Sequence, residues 1–412
     1  MKRSADVGIL GAGPAGARAA ELLAARGVSV VLLDPKVPWE KPCGGGLTPP
    51  AFDEIPELQE LLPHARAIHR VRVEVSPEEG FSVDLERPMR ILSRRTLGRW
   101  LLERALDSGA AHVPAKVSSL TKTAGTWLLD TERGPFRVPF VIGADGAASL
   151  VRRVAAPRFD VELAPTRVAY PAQAGPTPDT AVLKFYGGIA GYLWDFPRPD
   201  HRSVGIGVPN GTWRRPMLDG EIDAYRDSSE PCDCPGLERA GAVIGTAQLG
   251  HGDFSHVVGA DFALLGDAAG FADPLTGEGI QNALRSAALF AAAWNDGDAR
   301  AYGSLAREAF ASEFAVARTI RRSVFEGELG LRLIRSALSS DASYALVAAI
   351  VNAVNEHDGR LLKLASRWMG TSRLLRRDPS LAGRVRRTPV PCACGGRDRR
   401  DHAPCGSAAT AA

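Results

Sequence analysis

The sequence predicts an α/β fold with a discontinuous nucleotide-binding domain, an inserted antiparallel β-sheet domain and a helical C-terminal region. Three observations predict it. Asp6–Leu10 reads as a short buried strand that runs straight into a glycine-rich turn and an Ala-rich helix. Two later apolar strands, Phe140–Gly143 and Phe262–Leu265, lead into Asp-Gly and Gly-Asp turns. Short strand-like runs and turn residues fill the segments around them, and beyond about Glu308 the pattern turns helical.

Taken in order, the first strand meets Gly11-Ala-Gly13-Pro-Ala15-Gly16, then the helix former Ala17–Arg26, with Gly27 as the expected C-cap. A second strand, Val28–Leu33, ends at Asp34-Pro35. This is the order of a Rossmann-like dinucleotide site. Gly11 permits the tight turn, Gly13 lets the backbone approach a pyrophosphate, and Gly16 lets the helix pack close to the strand. The helix N-terminus faces the phosphates, and Asp34 is placed to accept from a ribose hydroxyl. In the sheet region, Arg70–Val75 and Phe81–Leu85 flank Pro77-Glu-Glu-Gly80 as a hairpin, and Val182–Tyr186 and Ser203–Val208 read as further strands.

The two later turns narrow the ligand. Phe140-Val-Ile-Gly-Ala-Asp145-Gly146 is backed by Ser149, Arg152 and Arg153. In Gly266-Asp267-Ala-Ala-Gly270, Asp267 sits at a strand's C-terminal edge, where a carboxylate can hold a ribityl hydroxyl. Gly277 and Gly279 let the backbone crowd a ligand at the start of the helix Gln281–Trp294. The positive end of that helix suits the anionic N1–C2=O region of a reduced flavin. Together these segments resemble the FAD-dependent monooxygenase and reductase superfamily that includes p-hydroxybenzoate hydroxylase. Ser93-Arg94-Arg-Thr-Leu97 also matches it, which implies that Arg94 contacts the flavin's phosphates or ribityl chain. The resemblance covers about residues 6–300 and implies FAD.

Two more segments resemble the geranylgeranyl reductase family, flavoenzymes that saturate C=C bonds of polyprenyl chains. One is Lys41-Pro42-Cys43-Gly44-Gly45-Gly46-Leu47. The other is Tyr192-Leu-Trp194-Asp-Phe196-Pro197, seven residues, then Gly205-Ile-Gly207. The stretch Gly266–Ile280 resembles the family's Gly-Asp motif as well, which adds Pro274, Glu278 and Ile280 to the expected cofactor contacts. Chemistry agrees with the resemblance. Saturating an unactivated alkene takes a hydride from flavin N5 and a proton, in a pocket that excludes water. Cys43, on a glycine-rich loop able to approach the ring, is the candidate proton donor. Tyr192, Trp194 and Phe196 alternate, so a strand puts them on one face as an aromatic wall for an isoprenoid. Gly205 and Gly207 are expected beside them at the substrate.

The domains are therefore expected as follows: FAD-binding, 1–66, 92–154 and 256–307; substrate-binding sheet, 67–91 and 155–255; helical region, 308–387; disordered tail, 388–412. The substrate is expected to be an isoprenoid or lipid, with NADPH or another external donor binding transiently, since no second GxGxxG is present. An aromatic or polyketide monooxygenase is the alternative enzyme. A halogenase is disfavoured because Trp-x-Trp-x-Ile-Pro is missing. A flavin redox carrier is the non-enzyme alternative, and it would have no closed substrate cavity.

Composition excludes little and agrees with this. The chain has 412 residues, 45% of them hydrophobic, and a net charge of +3, too small to argue for nucleic acid. Between Arg360 and Arg400 stand twelve Lys or Arg against Asp378 and Asp398, a basic run that could meet an anionic membrane surface. No apolar stretch reaches the ~18 residues of a membrane span, and the expected place is the cytoplasm, with peripheral contact at the inner face of the membrane. Six cysteines make no disulfide scaffold. Neither Cys232/Cys234 nor Cys392/Cys394 with His402 and Cys405 has zinc spacing, so no metal is expected.

Overall fold

The computed structural model describes residues 4–172, 178–189, 191–208, 213–229, 239–247, 254–322, 326 and 328–357. The cysteine pairs and the basic run lie outside these residues.

A five-stranded parallel sheet carries the N-terminal fingerprint. At its centre β1 (Val7–Leu10) lies between β2 (Val30–Leu33) and β10 (Phe140–Gly143). Beyond them lie β6 (Ala111–Val113) and β16 (Phe262–Leu264). β1, β2 and β10 are apolar at almost every position and wholly buried, as strands covered on both faces must be. The helix α1 (Pro14–Ala24) packs against α3 (Arg94–Asp107) and α6 (Ile280–Asn295). A meander of β7 (Val117–Thr123), β8 (Thr126–Thr131) and β9 (Phe136–Val138) lies over Gly8. A Cβ there would stand 2.8 Å from Leu129 and 3.0 Å from Val138, so only glycine admits the meander.

The second sheet has eight strands. Its order is β15 (Arg239–Ala247), β11 (Val161–Ala169), β14 (Arg202–Gly207), β13 (Tyr192–Pro197), β12 (Thr180–Phe185), β4 (Arg66–Glu74), β5 (Gly80–Ile91) and β3 (Gly46–Leu47). Every pairing is antiparallel except β12 with β4, where Thr180 lies opposite Arg70 and Lys184 opposite Glu74. The expected all-antiparallel sheet is thus mixed: two inserted segments meet side by side without a hairpin to reverse them. On one face α5 (Arg215–Ser229) buries Leu218, Ile222 and Tyr225 against Leu193, Val204 and Ile206. Elsewhere the sheet meets α8 (Leu329–Ala337) and α9 (Asp341–Glu356), which pack against Val71, Val73, Phe81 and Val83. The short helices α2 (Pro49–Glu54) and α4 (Leu150–Ala155) follow β3 and β10, and α7 (Tyr302–Ile320) follows α6.

β3 pairs only with the end of β5, at Arg90 and Ile91, which leaves an edge along the rest of β5. Side chains of α9 satisfy that edge. Tyr344 donates to Ser82 O, Asn352 donates to Asp84 O and accepts from Glu86 N–H, and Asn355 donates to Arg87 O. Among the described residues no single helix is long and apolar enough to cross a membrane. Only the pair α8 and α9, bent by 117°, has the length and composition together.

Candidate active site

The glycine turn is built by close contact. Gly11 has φ +93°, and a Cβ on it would lie 2.3 Å from Ala144 O. A Cβ on Gly16 would lie 1.9 Å from Gly11 O, whereas Gly13 faces open space. Asp34 braces the turn: one carboxylate oxygen accepts from Ala12 N–H at 2.9 Å, the other from Lys36 and Val37 N–H at 2.8 and 3.1 Å. Gly11, Gly13, Ala15, Asp34 and Pro35 all line one cleft.

Opposite them stand the other expected groups. Asp145 accepts from Leu150 N–H at 2.6 Å through one oxygen, while its buried Oδ1 has no partner. Burial raises its pKa above the usual range. Gly146, with φ +79°, lines the cleft beside it. Arg94 holds Glu40 through its backbone N–H at 3.0 Å, and its buried Nε also lacks a partner. Asp267 pairs with Lys41 at 3.3 Å. Gly277, Glu278, Gly279 and Ile280 bring the N-terminus of α6 to the same wall. Gly266 and Pro274 stand behind that wall, contrary to expectation. The Gly266 N–H is turned away to Ser286 Oγ at 3.1 Å, with Ala15 and Ala283 packed against it, and Pro274 is buried in the loop.

The cysteine loop crosses between cleft and sheet. Gly45 has φ +82°, and a Cβ there would lie 2.2 Å from Leu92 O; one on Gly44 would lie 2.6 Å from the Phe196 ring. The Cys43 Sγ accepts from Gly45 N–H at 3.4 Å. Its carbonyl accepts from Arg198 at 2.9 Å and from Ser203 Oγ at 3.1 Å. Arg198 is fully buried and pairs with Glu40 at 2.7 Å. Burial would raise the Glu40 carboxyl, but Arg198, Ser93 and the Arg95 and Arg94 amides outweigh it and hold the pKa below the usual range.

Tyr192, Trp194 and Phe196 line the cavity from one face of β13, and the Tyr192 hydroxyl donates to Thr276 O. Gly205 and Gly207 do not reach the cavity. A Cβ on Gly205 would lie 2.2 Å from the Trp194 indole, so that glycine makes room behind the ring, and one on Gly207 would lie 3.1 Å from Thr166. Past the aromatics the cavity, about 1030 Å³ in all, continues as an apolar arm. Val71, Val73, Leu183 and Phe185 form one side and Leu333, Ile334, Val347, Val351 and Val354 the other. The charged residues of its wall come from the dinucleotide side, from Asp34, Lys36 and Lys41 round to Glu278.

Sequence reasoning missed Glu40, Arg198 and His357. The first two abut the quoted motifs, at Lys41 and Pro197, and adjacency was the only signal; His357 offered none. His357 Nε2 lies 2.8 Å from Glu278 Oε2. Burial opposes charge on this imidazole, but Glu278, Asp273 and Glu313 outweigh it and hold the pKa up at about 9. A folded value above the ordinary 6.5 makes the stabilisation complete below about pH 6.5 and lost as pH rises through about 9. Thermal unfolding of the wild type is therefore expected to weaken across that window by about 3 kcal/mol more than that of His357→Gln. Parallel curves would remove the effect.

Residues 6–187 match the lycopene cyclase protein family. The chain is 26% identical over 376 residues to digeranylgeranylglycerophospholipid reductase 1 of Methanococcoides burtonii, covering 84% of this chain and 85% of that one. It is 32% identical over 362 residues to the menaquinone reductase of Mycobacterium tuberculosis, covering 77% and 83%. The chain belongs to the geranylgeranyl reductase family. It is thus an FAD-dependent oxidoreductase. In fold, this family member matches the geranylgeranyl bacteriochlorophyll reductase-like protein of Thermoplasma acidophilum, with a TM-score of 0.69 at 20% identity over 90% of this chain and 98% of that one. The open space over Gly13 and the unpartnered Asp145 Oδ1 and Arg94 Nε fit the FAD that the family uses.

Proposed function

We propose that this protein saturates C=C bonds of an isoprenoid chain, geranylgeranyl or polyprenyl. The observation that carries the reading is the apolar arm. It opens from the dinucleotide cleft past Cys43 and the aromatic strand, and no charged group lines it. A flexible hydrocarbon with no polar handle is recognised by shape and by the area it buries, at about 25 cal/mol per Å². A polar aromatic substrate would leave such an arm unused.

In this reading the turn from Gly11 to Gly16, Asp34, Arg94 and the Asp145-Gly146 turn hold the nucleotide and pyrophosphate. Asp267 and the start of α6 hold the ribityl chain and ring edge. Bound reduced FAD supplies a hydride. Tyr192, Trp194 and Phe196 set the alkene against the ring and keep water out, and the Cys43 thiol holds a proton for the second carbon. The donor that reduces the flavin, a nicotinamide or another carrier, binds transiently. The lipid is met at a membrane surface, where the basic run between Arg360 and Arg400 attracts anionic headgroups.

The test is mass spectrometry of a geranylgeranyl substrate after anaerobic incubation with the dithionite-reduced holoenzyme. Gains of ~2 Da per bond are expected from hydride and proton addition. A gain of ~16 Da only in air would replace the reading with a monooxygenase. Cys43→Ala is expected to keep FAD bound and to slow reduction about 100-fold, the usual loss for a missing proton donor. Unchanged turnover would remove the thiol from the reaction.

A further inference from the structure

Each saturated bond consumes one proton in the cavity, and the product carries that proton away. A route from solvent is therefore required, and the carboxylates of the cavity wall differ in what they could pass on. Asp34 and Asp145 are bonded to backbone N–H groups, and Asp267 to Lys41. Glu278 alone of these four is bonded to an imidazole, a side chain that can carry a proton between solvent and a buried carboxylate. It precedes Gly279 at the N-terminus of α6 and lines the cavity where the cleft meets the apolar arm.

His357 is built to serve it. The residue ends α9 in a left-handed conformation, φ +46° and ψ 29°, which a side-chain-bearing residue holds only when its surroundings enforce it. Its ring reaches Glu278 on one side and keeps 19% of its side-chain surface open to solvent. The neighbouring Asp273 is already taken, accepting from the Leu275 and Thr276 amides and the Thr276 hydroxyl at 2.8–2.9 Å. Glu313 of α7 is the other carboxylate acting on the ring. The second Glu278 oxygen lies 3.2 Å from Thr48 Oγ1, which fixes the carboxylate between the imidazole and the cavity.

We propose that Glu278 is the carboxyl that reloads the cavity with protons, resupplied from solvent through His357. The inference rests on the reductase reading. Atoms and electrons balance as follows: the alkene π bond breaks and two C–H bonds form. One carbon takes a hydride, with both electrons, from flavin reduced by the external donor. The other takes a proton from the Cys43 thiol. Glu278, a carboxylate in its pair with the imidazolium, takes that proton and passes it to the thiolate, and solvent reprotonates the imidazole, the hydroxide left behind returning to bulk water. Both act through the Cys43 thiol: Glu278 hands it the proton, and His357 positions Glu278 and supplies it.

The experiment uses the dithionite-reduced holoenzyme and a geranylgeranyl substrate, in multiple turnover and in a single turnover, in H₂O and D₂O. Glu278→Gln is expected to lower multiple turnover about 100-fold with an enlarged solvent isotope effect, while the first turnover, served by the thiol's own proton, falls much less. His357→Gln is expected to remove the loss of wild-type rate at alkaline pH. Independently of turnover, NMR of ¹⁵N-histidine-labelled oxidised protein should show the His357 titration shifting down in Glu278→Gln. Wild-type multiple turnover in Glu278→Gln, or an unmoved His357 titration, would overturn the proposal. A wild type that makes no ~2 Da product would instead overturn the reductase reading itself.

Discussion

Replacing Arg198 with methionine is expected to destabilise the protein by about 3 kcal/mol or more, the range for breaking a buried ion pair from one side. Arg198 is fully buried, and its guanidinium serves both the Glu40 carboxylate at 2.7 Å and the Cys43 carbonyl at 2.9 Å. Methionine fills similar space and removes only the charge and the donors. Glu40 would keep Ser93 and the Arg94 and Arg95 amides, which caps the loss. The Cys43 loop would lose its tie to the turn after β13, so alkene reduction should fall along with stability. Chemical denaturation measures the first effect, and the cycle with Glu40→Gln isolates the pair: the double variant should lose less than the two single losses together. A loss under about 1 kcal/mol would mean that the amides alone hold Glu40.

The second large effect is expected at Gly11→Ala. The added methyl would stand 2.3 Å from Ala144 O, in a backbone conformation at φ +93° that an L-residue avoids. Neither β1 nor the β10 turn can yield, because the two strands are paired in register from Val7–Phe140 to Leu10–Gly143. The turn must therefore deform where the pyrophosphate would lie. FAD titration should show binding weakened at least 100-fold, with the eight-stranded sheet still folded. Normal FAD affinity would place the cofactor away from this turn.

The parts of the fold that were legible share one property: their reasons are local. Val7–Leu10 and Val30–Leu33 are continuous apolar runs beside glycines whose positive φ or close contacts are written in the residue type. The Tyr192–Pro197 alternation likewise placed its three rings on one face. The meander at residues 117–138 was not legible, because β7 buries little beyond Leu120 and reads as polar loop. Gly205 and Gly207 were assigned to the substrate because they follow the aromatic strand. Only the register of β13 against β14, which sets Gly205 opposite Trp194, shows that the side chain missing at Gly205 serves the indole. Glu40 with Arg198 and Glu278 with His357 are 158 and 79 residues apart, so no local pattern could join them.

The edge of β5 sets a limit on where this chain can be cut. Tyr344, Asn352 and Asn355 occupy the backbone groups of Ser82, Asp84, Glu86 and Arg87 that a neighbouring strand would otherwise use. A chain shortened ahead of α9 would keep its flavin turn and its cysteine loop, yet it would present a row of unpaired donors and acceptors flanked by Val71, Val73 and Val83. Such an edge is a template for strand pairing between molecules. Truncation there should yield insoluble or self-associated protein before it yields a soluble inactive one. The helix that walls the cavity is also what keeps one copy of this sheet from joining the next.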